Sequence, residues 1–395
     1  MSTYSDASII IPTAPIYKAG TIYALKPTNG AADLDVVRAS TATRINKDRL
    51  IEEMAANVPR LDYTDGTCPS LLLEPQSTNL ITYSEDFSNA SWNKVNGAGD
   101  TLPIVASNYA ISPDGTQNAD RIQVSRTSAA GSYSSIYKSI TTASLNRALS
   151  IWLKSLNGSP TILITNNNGV YVSQQITTEW VRYELDLGVG TLTELQLSVV
   201  GSSFISGVSE SADFLAWGYQ LEALSYSTTY ISTEGSTTTR LKDEVSKTGL
   251  SADINSEEGV FMVNISSFTN DSSFRFFGLS DGTTSNRINL AYVNGNTIEL
   301  GVTVGGVNQS NINFTLSDIS LFHKAAIRYK LNNISLWIDG VKVNEDLTSL
   351  VFTENTLTKL SFNSAVSGAP FYGNLNELVV SKEFLTDTEM ATLTS

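Results

Sequence analysis

"LAWGYQLEALSYSTTYISTEGSTTTR", residues 215–240, changes character halfway along. Leu215, Trp217, Tyr219 and Leu221 alternate with Ala216 and Gly218, the period-two pattern of a strand with one face in a core. Beyond Leu221 the apolar residues thin out, and Thr-, Ser- and Gly-rich sequence runs to Arg240. A core strand that leads into such a tail predicts the close of one folded unit and, in "STEGSTTTR" (232–240), a linker to the next.

The composition supports that division. A chain of 395 residues is too long for one core, so two or three domains are expected. Hydrophobic residues make up 41% and charged residues only 16%, a balance that suits all-β domains with short strands and polar turns. The net charge of −14 argues against a phosphate backbone or an anionic membrane surface as partner. Cys68 is the single cysteine, which excludes an intramolecular disulfide or a multi-cysteine metal site; it reads as a small buried apolar side chain. The opening "MSTYSDASIIIPTAPIYKAG" has no basic start, and Pro12 and Pro15 break its apolar run. No secretory signal and no membrane span are expected, and the protein reads as one made in a cytoplasm.

Three units follow along the chain. In residues 1–77, "SIIIP" (8–12), "TIYALKP" (21–27) and "LDVVRAS" (34–40) are short strand-like runs. "TATRINKDRLIEEM" (41–54) reads as a hairpin turning at Asn46–Lys47–Asp48, the alternative being a short helix through residues 47–58. So little apolar sequence predicts a segment that packs on a neighbour or a partner subunit. Residues 78–240 carry eight strand candidates, among them "SSIYKSIT" (134–141), "RALSIWLKS" (147–155), "WVRYELDL" (180–187) and "TELQLSVV" (193–200). At that spacing they predict a two-sheet jelly roll. Residues 241–395 carry a second such series, then "TDTEMATLTS" (386–395), the one helix expected, with Thr386 or Asp387 as N-cap. The predicted fold class is all-β: an N-terminal β-rich attachment segment followed by two β-sandwich (jelly-roll) domains.

Local motifs add a resemblance. "NLITYSEDFSNASWNK" (79–94), "SPDGTQNADRI" (112–122) and "AWGYQLEALSYSTTYISTEGSTTTR" (216–240) resemble the opening, second and closing strands of a carbohydrate-binding-module-like jelly roll. That module recurs in tailed-bacteriophage virion proteins, including tail fibres and head spikes. "RASTATRINKDRLIEEMAANVPRLDY" (38–63), followed by "SLLLEPQSTNL", resembles the leader that precedes it there, with Arg49 where the family usually has a turn glycine. "HKAAIRYKLNNISLWIDGVKV" (323–343) and "FYGNLNELVVSKEFLTDTEMATL" (371–393) resemble the hairpin and the closing strand with helix of a laminin-G or concanavalin-A-like sandwich. The first resemblance implies a phage virion structural protein, a head fibre or spike subunit with a tail fibre or receptor-binding protein as the alternative. It also implies a homotrimer that contacts capsid, tail or other fibre proteins and host-surface glycans. Residues 1–77 would attach it to the virion, through Ile9, Ile10, Ile11, Tyr17, Tyr23, Arg38 and Arg44. A ligand-free connector, a glycan-active enzyme and a secreted adhesin are the other classes left open.

No catalytic constellation is legible. His323 is the only histidine, lies at the start of a core strand and has no G-x-S-x-G elbow to serve. Glu52–Glu53, Asp243–Glu244 and Glu257–Glu258 are neighbours in sequence, so on strands they point to opposite faces and read as solvated charge. No cofactor is expected; Asp114, Asp120 and Asp281 are the loop oxygen donors that a structural calcium would use, although no D-x-D-x-D-G loop is present. Sugar binding uses flat rings. Leu149, Ile151 and Leu153 point inward, which places Trp152 on the outer face, and Tyr133, Tyr137 and Tyr171 have similar freedom to stack on sugar or on a neighbour. Trp180 and Trp217 read as core.

Overall fold

The computed structural model describes residues 4–64, 66–167, 170–366 and 368–395. The chain is all-β, and the one α-helix among the described residues is Asp387–Thr394. It divides into two compact units: residues 1–49, 53–75 and 241–395 form one, residues 50–52 and 76–240 the other. The second unit is thus an insertion in the chain of the first, where the sequence predicts three units in succession.

The first unit is a two-sheet sandwich. One sheet runs Val341–Asp346, Asn333–Ile338, His323–Lys330, Glu258–Ser266, Gly373–Ser381, Ser70–Leu73, Arg60–Asp62, with Ala7–Ile11 also paired to Gly373–Ser381. The other has nine strands, from Tyr17–Lys18 at one edge through Leu34–Val37, Glu244–Thr248 and Arg287–Asn294 to Val307–Thr315. A single apolar core takes residues from both, including Phe261, Ile327 and Val380 from one and Leu279, Leu290 and Leu300 from the other. The N-terminal segment is part of this sandwich. Ile10 pairs with Val379, Ile9 and Ile11 enter the core, and Ile10 packs outward with Met262, Met390 and Leu393. Its apolar sequence, too sparse for a core of its own, is completed by residues more than 360 positions away.

Polar groups fix the rest of this unit. Arg60 donates to Glu74 at 2.5 Å and also pairs with Asp243, which Arg38 reaches at 2.9 Å. All four side chains are buried, so each charge is offset by a partner rather than by water. Asp243 is therefore not the solvated charge the sequence suggests; Glu244 keeps that character, paired with Lys242. Asp339 (φ +47°) and Gly340 (φ +83°) turn the hairpin between Ile338 and Val341, as the Asp-Gly pair predicts. Thr386 caps the helix in a capping box with Glu389. Residues 42–45 and 51–54 form the expected hairpin, not a helix. Arg49 lies in its turn at φ +65°, a conformation that glycine adopts at less steric cost. Cys68 is exposed, in a loop, rather than buried.

The second unit has one bent sheet in the order Thr101–Ala110, Ala119–Ser125, Ser211–Glu222, Tyr133–Ser155, Val181–Val200, Thr161–Asn167, Val170–Gln175, with Asn93–Asn96 paired to Tyr133–Ser155. Four of the predicted strands merge into two long ones, Tyr133–Ser155 and Val181–Val200. Register shifts between Thr141 and Leu145 and between Asn146 and Ala148 bend the first of these, as bulges do.

The opening stretch carries a bulge of its own. Ser150 pairs with Gln220 but Trp152 with Trp217, and the irregularity falls at Gly218. Phe214, Ala216, Tyr219 and Leu221 consequently face the core, whereas strict alternation places Leu215 and Trp217 with Tyr219. Gly218 has φ +67°, and a Cβ there would lie 3.0 Å from the Trp152 ring and 3.2 Å from Tyr230, so glycine is required on both counts. The tail is not a plain linker either. Thr238–Arg240 pairs with Ser77–Asn79, closing the unit where it began. Glu222, fully buried, accepts from Ser77 Oγ at 2.6 Å, Gln220 Nε2 at 2.8 Å and the Thr228 amide at 2.8 Å.

Candidate functional site

The second unit presents an open cavity of about 190 Å³ lined by Val95, Tyr133, Ser135, Tyr137, Tyr171, Glu194, Gln196, Val200 and Phe204. Strand alternation explains its make-up. Ile136 turns into the core, so Tyr133, Ser135 and Tyr137 project together from the opposite face of the same strand. Register places Tyr133 beside Val200, Ser135 beside Ser198 and Tyr137 beside Gln196. Val95 extends this row, opposite Ser135 on the next strand.

Loop contacts hold the aromatic wall. Phe204 follows the Gly201 turn, its amide donating to the Gly201 carbonyl at 3.0 Å. Gly201 is crowded by the Ala129 and Ala130 carbonyls, leaving no room for a Cβ. Phe204 then meets Tyr133 edge-on with centroids 5.9 Å apart, and Tyr171 likewise at 5.8 Å. Asp100 accepts from the Thr127 and Tyr133 amides at 2.6 and 2.8 Å. The Thr127 amide, followed by that of Tyr133, holds its carboxyl below the usual aspartate range. Gln196 donates to Glu194 Oε2 at 3.0 Å. The result is three half-buried tyrosine rings and a phenylalanine at differing angles, with a carboxylate, an amide and a hydroxyl between them.

Tyr133, Tyr137 and Tyr171, singled out from sequence, therefore converge on one site. Trp152 does not join them. It lies on the outer face as expected but is only 8% exposed, enclosed by Trp217 at 5.4 Å, Tyr230 at 5.8 Å and the Arg182 guanidinium at 4.5 Å. Trp217 is buried, while Trp180 is half-buried, its indole donating to the Ile111 carbonyl. Glu194, Gln196 and Phe204 went unnoticed in the sequence. The period-two run from Glu194 to Ser198 marks the first two, but nothing local marks Phe204.

Of the residues assigned to attachment, Ile9, Ile10, Ile11 and Arg38 are buried in the first unit and present no surface. Tyr17 packs against that core, Arg44 donates to the Leu61 carbonyl at 3.1 Å, and Tyr23 is exposed. His323 Nδ1 meets Asp339 at 2.6 Å and its Nε2 the Asp318 carbonyl at 3.0 Å, a structural role at the hairpin base. Asp114 and Asp281 each accept from their own turns, at Thr116 and Thr283. Asp120 is buried and accepts the Phe87 and Asn108 amides, both at 2.9 Å; burial still pushes its carboxyl up to about 6. Among the described residues no group of three His, Cys, Asp or Glu side chains could hold a metal ion, and no helix is long and apolar enough to cross a membrane.

No family model matches the chain, and no curated protein does. Distant structural neighbours include carbohydrate-binding-module domains. One is the Ruminococcus gnavus IT-sialidase CBM40 bound to α2,3-sialyllactose, at 14% identity and TM-score 0.31, covering 35% of this chain and 83% of that one. Another is domain 4 of the Geobacillus stearothermophilus GH43 arabinanase AbnA in complex with arabinotriose, at 12% identity and TM-score 0.33, covering 43% and 82%. A SAP-like pentraxin from Limulus polyphemus has 12% identity and TM-score 0.29, covering 36% and 71%. At these scores the likeness carries no argument about this chain's ligand.

Proposed function

We propose that this chain is a saccharide-binding structural subunit of a tailed-phage fibre or head spike, and that it binds without turnover. The observation that carries the binding reading is the convergence of Tyr133, Tyr137, Tyr171 and Phe204 on one open cavity. Rings offer flat apolar faces to the C–H faces of a pyranose, while Ser135, Glu194 and Gln196 lie in reach of its hydroxyls. A cavity of about 190 Å³ is smaller than the roughly 300–1,000 Å³ of drug-sized pockets, which favours a single sugar ring left partly in water. Glycoside hydrolysis uses two carboxyl groups flanking the bond, and among the described residues Glu194 is the one carboxylate lining this cavity.

The virion reading rests on the resemblance of residues 38–63, 79–94, 112–122 and 216–240, and a head fibre is preferred to a tail fibre on the leader. In a homotrimer, three weak sites on each of many fibres gain avidity, so single-site affinity can be low. Titrating the full chain with a glycan panel while following tyrosine fluorescence and NMR shifts tests the binding reading. Tyr137→Ala is expected to weaken binding about threefold to tenfold; an affinity indifferent to it would refute the site. Antibody labelling of purified particles tests the location, and a particle that lacks the chain refutes it.

A further inference from the structure

A second cleft of the inserted unit, about 440 Å³ and apart from the tyrosine pocket, is walled by the carboxylates Glu85, Asp86, Asp120 and Glu234. The two ends of the unit build it. The Ser84 amide donates to the Thr233 carbonyl at 3.4 Å and the Thr233 amide to Ser84 Oγ at 3.0 Å, which sets residues 83–88 beside residues 232–234. Asp120 ties in the other wall, accepting the Phe87 amide through Oδ2 and the Asn108 amide through Oδ1. The bonds to Glu85 and Asp86 come from neutral groups. Glu85 accepts from Tyr230 at 2.7 Å and from Ser232 and Asn118 at 3.0 Å, and Asp86 from Ser88 and Asn89 of its own turn. Among the described residues no Lys or Arg lines the cleft. Lys138 stands over the Tyr83 ring at 5.5 Å, but its ammonium bonds Thr82 Oγ1 and Ser91 Oγ.

Two further oxygens point to what would fill this cleft. Thr233, which also lines it, is 5% exposed, and its Oγ1 has no hydrogen-bond partner. The Asn118 amide is oriented by donating to Glu85 at 3.0 Å and Asp114 at 3.3 Å, which leaves its buried Oδ1 without a donor. Buried polar atoms are seldom left unpaired, and both of these can accept a hydrogen. We propose that the cleft binds a protonated primary amine, the ammonium of an amino sugar or of a lysine side chain. Such a group brings three donors and no acceptor, and its charge strengthens each bond to a carboxylate. Among the described residues no three of these acids could share a metal ion, and the volume is in the range of pockets for organic ligands. Burial pushes the Asp120 carboxyl up to about 6, and the Asp86 charge adds to the rise; a bound cation relieves that crowding of like charge.

The test titrates the full chain with glucosamine, with Nα-acetyl-lysine amide and with N-acetylglucosamine, following backbone amide NMR shifts. Both amines are expected to move the Phe87, Ser88 and Asn108 amides, which bond Asp120 and Asp86. N-acetylglucosamine, which lacks the charge, should bind there about tenfold more weakly or worse. The tighter of the two amines assigns the source. Glu234→Gln, at an exposed position, should weaken amine binding about threefold, and high salt should weaken it further. Thr233→Val should weaken it too, yet leave stability unchanged or higher, because the hydroxyl it removes is unpartnered. Tyr137→Ala should leave amine binding as it is, which separates this cleft from the tyrosine pocket. Equal affinity for glucosamine and N-acetylglucosamine, or amine-induced shifts confined to the tyrosine pocket, would overturn the inference. Calcium that displaces both amines at lower concentration would overturn it as well.

Discussion

Gly218 shows how much of the second unit turns on one residue. Its left-handed backbone produces the bulge that puts Tyr219 and Leu221 into the core after Phe214 and Ala216, and its missing side chain makes room for Trp152 and Tyr230. Gly218→Ala should cost about 2–5 kcal/mol, from the backbone penalty of roughly 1–2 kcal/mol and the overpacking of about 1–3 kcal/mol. Urea unfolding reads it as a lower midpoint at unchanged slope, and a shift below about 0.5 kcal/mol would mean the strand can re-register. Asp120 gives a pH signature. Its folded pKa of about 6 lies above the ordinary 3.8, so between those values the folded state holds the proton that the unfolded chain releases. Stability must then fall as pH rises through that window, by about 1–3 kcal/mol in all. Asp120→Asn, though less stable throughout because one of its two amide donors loses an acceptor, should show a flatter profile from pH 4 to 6. A parallel profile would remove Asp120 as the cause.

At the scale of elements, what was legible is what is local. The Asp339–Gly340 hairpin, the hairpin over residues 42–54 and the capped C-terminal helix each depend on a handful of adjacent residues, and each formed as read. Thr386→Ala should therefore behave as a simple cap loss of about 1 kcal/mol, visible as fraying of residues 387–394 in hydrogen exchange. The tyrosine pocket was half legible: alternation puts Tyr133 and Tyr137 on one face, but only cross-strand register brings Tyr171, Glu194 and Gln196 to them. What failed depended on partners distant in sequence. Trp152 reads as an exposed ring until Tyr230, just ahead of the stretch read as a linker, folds back over it. The three isoleucines of residues 9–11 read as a docking edge because their partner strand lies at residues 378–381.

At the scale of the molecule the decisive feature is the nesting of one unit in the chain of the other. Glu74 and Asp243 flank the insertion, and the Asp243 amide donates to the Glu74 carbonyl at 3.0 Å, while Arg60 joins both side chains. Within the inserted unit, Ser77 pairs with Arg240. Both units thus have their cut ends side by side, the condition under which insertions and excisions are tolerated. Replacing residues 77–240 with a short Gly-Ser linker should leave a folded first unit with a cooperative transition, and residues 76–240 alone should fold and keep the tyrosine pocket. Residues 241–395 alone should not fold, because they lack the strands Ala7–Ile11, Leu34–Val37 and Ser70–Leu73 and the core side chains they bring. Adding residues 1–75 in trans is expected to restore part of that structure. Arg60→Ala in the linker-joined unit should cost about 3–5 kcal/mol, since it leaves Glu74 and Asp243 buried with one fewer cation between them. Circular dichroism melts of the three fragments decide the matter: a stably folded 241–395 would show that the N-terminal strands are an accessory, and the terminal segment would again be free to dock elsewhere.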